Sequence, residues 1–289
     1  MVWMKNIARK FAVFLEMIKW EHSVFALPFA YLGLFLAEHG RPRLSVFLWV
    51  TAAMVSFRTM AMAANRLVDA RIDAENPRTR GRAIPAGLLG RPFAVFAAVL
   101  SGAFFFGSAA VLGPLCLALS PFPVLLAWFY PWAKRFTWLS HFILGMILAI
   151  APYGAWIASC GRFSWVPAFL SAGVMAWAAG FDMIYALQDV GFDRQHGLFS
   201  FPARFGVTPA LKAALVLQGF CLAAWFAAGQ LAGLGWIYSG GLIAAAVFIV
   251  RQHWLIRSCG LAKMDEAFFT MNAAVSVGVF LAAAVDLSF

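Results

Sequence analysis

The chain has 289 residues, of which 63% are apolar and only 12% charged, and its mean hydropathy is +0.83. That leaves too little polar surface to cover a water-soluble globule of this length, so a soluble domain is excluded and a polytopic membrane protein is expected. A net charge of +10 suits a basic surface facing anionic lipid headgroups, and no nucleic-acid-binding module accompanies it, so nucleic acid is not an expected partner.

Residues 1–22 read as a basic, amphipathic lead-in with no evident cleavable signal peptide. Apolar runs able to cross roughly 30 Å of hydrocarbon, about 17–25 residues each, follow at 23–38, 44–64, 93–112, 114–131, 138–159, 165–187, 208–231, 234–251 and 267–286. They lack the period-2 alternation of a membrane barrel, so an all-α bundle of about nine transmembrane helices, one domain over 1–289, is expected. The second run carries Arg58 and leads into Asn65-Arg-Leu-Val-Asp69-Ala-Arg71-Ile-Asp73, then a loop to about residue 91 holding Arg78, Arg80 and Arg82. The fourth closes on Tyr130-Pro131-x2-Lys134-Arg135, the fifth contains Tyr153, and the sixth brings Asp182 and Tyr185 before a loop over 189–207 with Asp189, Asp193 and Arg194. Cys116, Cys160, Cys221 and Cys259 are scattered without metal-type spacing and read as packing residues.

Basic residues orient the bundle. With the N-terminus in the cytoplasm, eighteen of the 22 lysines and arginines fall on the cytoplasmic side, so the positive-inside rule predicts N-in and C-out in the cell inner membrane, with both aspartate segments facing the cytoplasm. The second and sixth spans run in the same direction, and each ends on Asp-x3-Asp before a loop with an apolar-Pro-Ala triplet, Ile84-Pro85-Ala86 and Phe201-Pro202-Ala203. The pattern predicts two parallel four-helix halves plus a ninth helix, with the site between the halves.

Five of the twelve carboxylates lie in these two segments, where membrane placement makes acid costly without a local reason. Asn65 and Asp69, like Asp189 and Asp193, are four apart and share a face wherever the helix persists, and Asp73 continues the first stripe. Mg²⁺ prefers oxygen ligands and typically bridges one or two carboxylates to substrate phosphates, so two such clusters suit a metal-bound diphosphate. Arg71, Arg78, Arg80, Arg82, Lys134, Arg135 and Arg194 stand on the same side as candidate direct donors, each of which reads equally as a headgroup contact or topology signal; their concentration near the acids is the informative part. Arg58 and Asp182 occupy corresponding positions two turns deeper. They either form a buried ion pair or recognise a polar group in the pocket.

These residues resemble the UbiA superfamily of intramembrane aromatic prenyltransferases, and among them the bacterial 4-hydroxybenzoate polyprenyltransferase-like group. Asn65, Asp69 and Asp73 match the first motif; Thr79-Arg80-Gly81-Arg82-Ala83-Ile84-Pro85-Ala86-Gly87 follows it as in the family; Asp182-x2-Tyr185-Ala186-x2-Asp189-x3-Asp193 is similar to the second. Arg66 and Ala83 depart from the family pattern, and the first helix lacks an arginine that many hydroxybenzoate enzymes carry. The resemblance implies Mg²⁺ held by Asn65, Asp69, Asp73, Asp189 and Asp193 on a polyprenyl diphosphate, with Arg78, Arg82, Lys134 and Arg135 neutralising the leaving group. Tyr185 and Tyr153 would face an allylic cation, and Asp182 or Asp189 would orient the hydroxyl of a small aromatic acid. The implied acceptor is 4-hydroxybenzoate in ubiquinone-type quinone synthesis, with a dihydroxynaphthoate of menaquinone synthesis as the second. A transporter would place its acids near the bilayer midplane, and a CDP-alcohol phosphotransferase would need a D-G-x-x-A-R pattern that the chain lacks.

Overall fold

A computed structural model describes the backbone of residues 2–289 and the side chains of all but residues 1–9, His22 and Val24. Its helices are α1 (Val2–Met17), α2 (Ser23–Ala37), α3 (Leu44–Glu75), α4 (Arg91–Leu112), α5 (Pro114–Leu119), α6 (Pro121–Ala133), α7 (Ser140–Cys160), α8 (Trp165–Tyr185), α9 (Val190–Gln195), α10 (Phe201–Phe205), α11 (Val207–Ala232), α12 (Trp236–Cys259) and α13 (Met271–Asp286). Among the described residues, eight helical stretches are long and apolar enough to cross a membrane, and the apolar α2 is a shorter ninth. The protein is a multi-pass membrane protein.

Three spans differ from their expected limits, two of them for a chemical reason the sequence carries. The second does not stop at residue 64. Arg66 to Glu75 contains no Gly or Pro, so α3 carries Asn65, Asp69 and Asp73 on one continuous helix and ends at Asn76, held extended because Pro77 follows. The fourth span breaks at Ser120, where Pro121 and Pro123 restart the chain as α6. The eighth runs on to Cys259. Beyond it a π-helical turn, Glu266–Thr270, precedes α13.

Pairs α3 with α4, α7 with α8, α8 with α11, and α12 with α13 pack side by side, and α2 lies against α7. α13 packs on α2 as well as on α12, so first and last spans close the bundle.

Close approach replaces hydrophobic drive in lipid, and small residues make it possible. A Cβ on Gly33 of α2 would stand 2.2 Å from the Pro152 carbonyl oxygen of α7, and one on Gly145 of α7 would stand 2.4 Å from that of Met175 in α8. The core between α2, α8 and α11 is aromatic: the Phe29 ring centroid is 4.9 Å from that of Trp225 and 5.2 Å from that of Trp177. Large exposed side chains such as Phe96, Phe104, Leu125, Val216 and Ile243 coat the outer surface with the apolar face that lipid requires.

The end of the bundle remote from the aspartates is tied by side chains. Glu38 accepts hydrogen bonds from Ser159 and Arg43, and Arg43 also donates to the Ser159 carbonyl at 3.0 Å. Asp286 caps α12 by accepting from the amides of Ile237 and Tyr238 at 3.1 and 3.3 Å, a placement the helix dipole favours.

Candidate active site

The other end opens a cavity of about 170 Å³. α3 supplies Asn65, Asp69 and Asp73; the turn after it supplies Asn76, Arg78, Thr79 and Arg82; α6 supplies Tyr130 and leads into Lys134. α7 contributes Ser140 and His141, α8 contributes Asp182 and Tyr185, and the segment beyond contributes Asp189, Asp193 and Ser200. Ten of the residues singled out in the sequence line this one cavity: Asn65, Asp69, Asp73, Arg78, Arg82, Lys134, Asp182, Tyr185, Asp189 and Asp193. Asp189 reaches it from a 3₁₀ turn, Ala186–Asp189, rather than along a continuous helix; such a turn advances about 120° per residue against about 100° in an α-helix, which changes its heading from the expected stripe.

Each acid meets a base or a hydroxyl. Lys134 Nζ lies 2.6 Å from Asp69 Oδ2, and Arg82 Nη1 lies 2.7 and 2.8 Å from the two oxygens of Asp73. Asp189 accepts from Arg78 Nε at 2.9 Å and Asn76 Nδ2 at 3.0 Å, while Arg78 Nη2 donates to its second oxygen. Asp193 accepts from Ser200 Oγ at 2.8 Å. Arg78 also donates to the Tyr185 hydroxyl at 3.2 Å and lies over its ring, 5.4 Å from the centroid. Burial works against the Arg78 cation, but the hydrogen bond and charge of Asp189 outweigh it, so its pKa stands above the ordinary arginine value.

The donor chemistry suits a hard divalent cation. All the acids are oxygen donors, and Asp69 Oδ1 is buried with no hydrogen-bond partner, with Arg135 Nη2 3.7 Å away. Among the described residues no three His, Cys, Asp or Glu side chains form one metal-binding group. Mg²⁺ does not need one, because it completes its shell with phosphate oxygens and water.

Five expectations are corrected or narrowed by this geometry. Arg58 and Asp182 do not pair: Arg58 Nη2 donates to the Lys19 carbonyl at 2.9 Å, and Asp182 takes His141 instead, 2.7 Å away. A lead-in folded against α3 offers Arg58 a nearer acceptor. Tyr153 lies at the far end of α7, its hydroxyl donating to the Ser164 carbonyl at 3.1 Å. Arg71 is exposed outside the cavity, and Arg194 donates to the Ala203 carbonyl at 2.9 Å. Arg135 flanks the cavity, donating to the Val68 carbonyl at 2.9 Å and stacking 4.1 Å from the Trp132 ring centroid. Arg66, the departure from the first motif, points away to the Met17 carbonyl at 3.3 Å and joins α3 to α1.

Sequence reasoning missed Asn76, Tyr130, His141 and Ser200. Asn76 precedes a proline directly after the acid stripe, and Ser200 precedes Phe201-Pro202 as an N-cap, both readable signals. Tyr130 lay within a segment valued only for its cations. His141, a single histidine opening an apolar helix, carried no signal.

Residues 26–274 match the UbiA prenyltransferase family. The chain is 32% identical over 256 residues to the 4-hydroxybenzoate octaprenyltransferase of Alkalilimnicola ehrlichii, spanning 88% of this chain and 86% of that one. The apo structure of a UbiA homologue from Aeropyrum pernix K1 superposes with a TM-score of 0.83 at 34% identity, over 92% of this chain and 98% of that one. A UbiA homologue from Archaeoglobus fulgidus bound to GPP and Mg²⁺ shares the fold, with a TM-score of 0.68 at 17% identity over 96% of this chain and 100% of its own.

Proposed function

The chain belongs to the UbiA prenyltransferase family, and on that premise we propose that it transfers a polyprenyl group from polyprenyl diphosphate to the ring of 4-hydroxybenzoate. The observation that carries the reading is the convergence of both aspartate segments and of Arg78, Arg82 and Lys134 on one cavity. The similarity to a 4-hydroxybenzoate octaprenyltransferase supports the acceptor. The cavity is assigned to the cytoplasmic face of the inner membrane, N-terminus inside, because the basic residues concentrate on that side.

Asn65, Asp69, Asp73, Asp189 and Asp193 would hold Mg²⁺, whose preference for oxygen ligands their side chains meet, and a homologue of the same fold is bound to GPP and Mg²⁺. When bound, the metal would supply positive charge to the diphosphate oxygens. Arg78, Arg82 and Lys134, each resting on a carboxylate, are placed to exchange that partner for a phosphate oxygen, and Arg135 adds charge from the flank. As the allylic carbon–oxygen bond breaks, the Tyr185 ring would face the developing cation. The diphosphate leaves with the carbon–oxygen electron pair, the ring carbon ortho to the acceptor hydroxyl forms the new bond with Asp182 holding the hydroxyl, and the ring proton passes to the released diphosphate, itself a base. The tail stays in lipid, which at about 0.8 kcal/mol per CH₂ strongly favours side entry between helices.

A second reading, prenylation of a dihydroxynaphthoate, draws on one structural fact. The first span, α2, has no arginine, and the deep Arg58 is turned to the Lys19 carbonyl rather than into the cavity, so a benzoate carboxylate has no dedicated guanidinium there. The test is a transfer assay on purified membranes with radiolabelled polyprenyl diphosphate and Mg²⁺, offering each acceptor separately. Prenylated hydroxybenzoate upholds the first reading, prenylated naphthoate alone moves the protein to the second, and no product from either overturns both.

A further inference from the structure

His141 lines the cavity from the first turn of α7 and is 2% exposed. Both its ring nitrogens are engaged. The Phe201 amide donates to Nε2 at 3.1 Å, and Nδ1 lies 2.7 Å from Asp182 Oδ2. An amide N–H can only donate, so Nε2 carries a lone pair and the ring proton sits on Nδ1, where the carboxylate accepts it. Asp182 has no second hydrogen-bond donor among the described residues, and it too lines the cavity. One oxygen is held; the other remains for a ligand.

Three elements meet at this ring: α7 carries it, α8 carries Asp182, and the start of α10 supplies the amide that sets its tautomer. Ser200, the neighbour of that amide, holds Asp193. The histidine thereby ties the orientation of Asp182 to the loop that also shapes the acidic wall. A hydrogen bond from the rear to a functional group typically fixes its rotamer, and losing it costs about 10–100-fold in function at metal sites built this way.

We propose that His141 is the positioning residue for Asp182, presenting its free oxygen to the hydroxyl of the aromatic acceptor. This rests on the proposed transfer to a hydroxylated ring. It goes further by placing behind Asp182 a histidine that neither aspartate motif contains.

Two substitutions separate the two halves of the ring. In His141→Asn the side-chain amide N–H stands in for Nδ1–H, whereas in His141→Gln the amide oxygen stands in for the Nε2 acceptor. Turnover with varied acceptor should be largely retained in His141→Asn and fall about tenfold or more in His141→Gln, with KM for the prenyl diphosphate unchanged in both. Full activity in both variants, the reverse order, or loss of diphosphate binding together with turnover would overturn the proposal, the last by making the histidine a folding tie. Nitrogen-15 spectra of histidine-labelled protein in micelles provide an arm independent of activity, with His141→Asn identifying the resonance. The wild type should show the Nδ1–H form, and an Nε2–H ring refutes the dyad whatever the acceptor. If the wild type prenylates no hydroxylated ring while the Nδ1–H form is seen, the proposed function fails and the dyad geometry stands.

Discussion

Arg78 lays its guanidinium along the carboxylate of Asp189, Nε to Oδ1 at 2.9 Å and Nη2 to Oδ2, across 111 residues of sequence. The contact joins the turn after α3 to the segment after α8, so it closes the cavity between the two aspartate segments. With the side chains 30% and 19% exposed, solvent screens the pair, and ion pairs of this kind typically contribute about 0–1 kcal/mol. Its value lies in geometry. Arg78→Lys keeps the charge but loses the planar fork. It should raise KM for polyprenyl diphosphate about tenfold while leaving the melting temperature within a few degrees, measured by initial rates and by thermal unfolding in detergent.

Asp69→Asn and Asp189→Asn preserve side-chain shape but remove a charged oxygen from each acidic wall. Each should lower transfer by about 100-fold or more at saturating Mg²⁺, the scale of losing one preorganised electrostatic contact in a dry site. Both proteins should still purify folded from membranes. Wild-type turnover in both would remove the cavity from the chemistry.

Arg58→Ala tests a structural role. Its guanidinium donates to the Lys19 carbonyl, and its Nε is buried without a partner. Removing it should loosen the junction of α1 and α2, with an expected loss of about 1–3 kcal/mol from the uncovered carbonyl. KM for the acceptor should stay unchanged. A selective rise in that KM with unaltered melting would return Arg58 to the binding site.

Gly145→Ala should cost about 1–3 kcal/mol by forcing α7 away from α8, since the added Cβ would meet the Met175 carbonyl oxygen at 2.4 Å. Gly154→Ala, on the same helix with open space at its Cβ, is the control. Equal melting temperatures for the two variants would contradict the crossing.

Glu38 makes the remote end sensitive to acid. Its hydrogen bond from Ser159, with Arg43 and the nearby His39 adding to it, holds its carboxyl below the ordinary value against a smaller cost of burial. A lowered folded pKa contributes stability that is present above the unfolded value, about 4.3, and is lost as pH falls through the folded one. The stability difference between wild type and Glu38→Gln should therefore be constant from pH 7 to 5 and shrink below about pH 4, followed by thermal melts across that range. A difference that grows with acidity would contradict the assignment.

Much of the candidate site was legible in the sequence because its chemistry is rare in a membrane chain. Carboxylates at helix ends in an acid-poor sequence call for a counter-charge, and the motif spacing marked Asn65, Asp69, Asp73, Asp189 and Asp193 before any coordinates. Partners were not readable. Spacing put Arg58 and Asp182 at equivalent depths, yet equivalent depth does not bring two side chains together; Lys19 offered one an acceptor and His141 offered the other a donor. Tyr153 fell on the wrong end of α7, because an apolar run gives little sign of which end of a span meets which.

Composition, periodicity and charge asymmetry by themselves determined that this is an all-helical membrane protein with two acidic segments, since these depend only on transfer free energies summed along the chain. Tertiary structure alone decided that α13 closes the bundle against α2, that Arg78 rather than a nearer base takes Asp189, and that His141 holds Asp182. Those pairings follow from close packing of helices far apart in sequence, where a glycine at a crossing or a 3₁₀ turn redirects a side chain by several ångströms without leaving a mark in hydropathy.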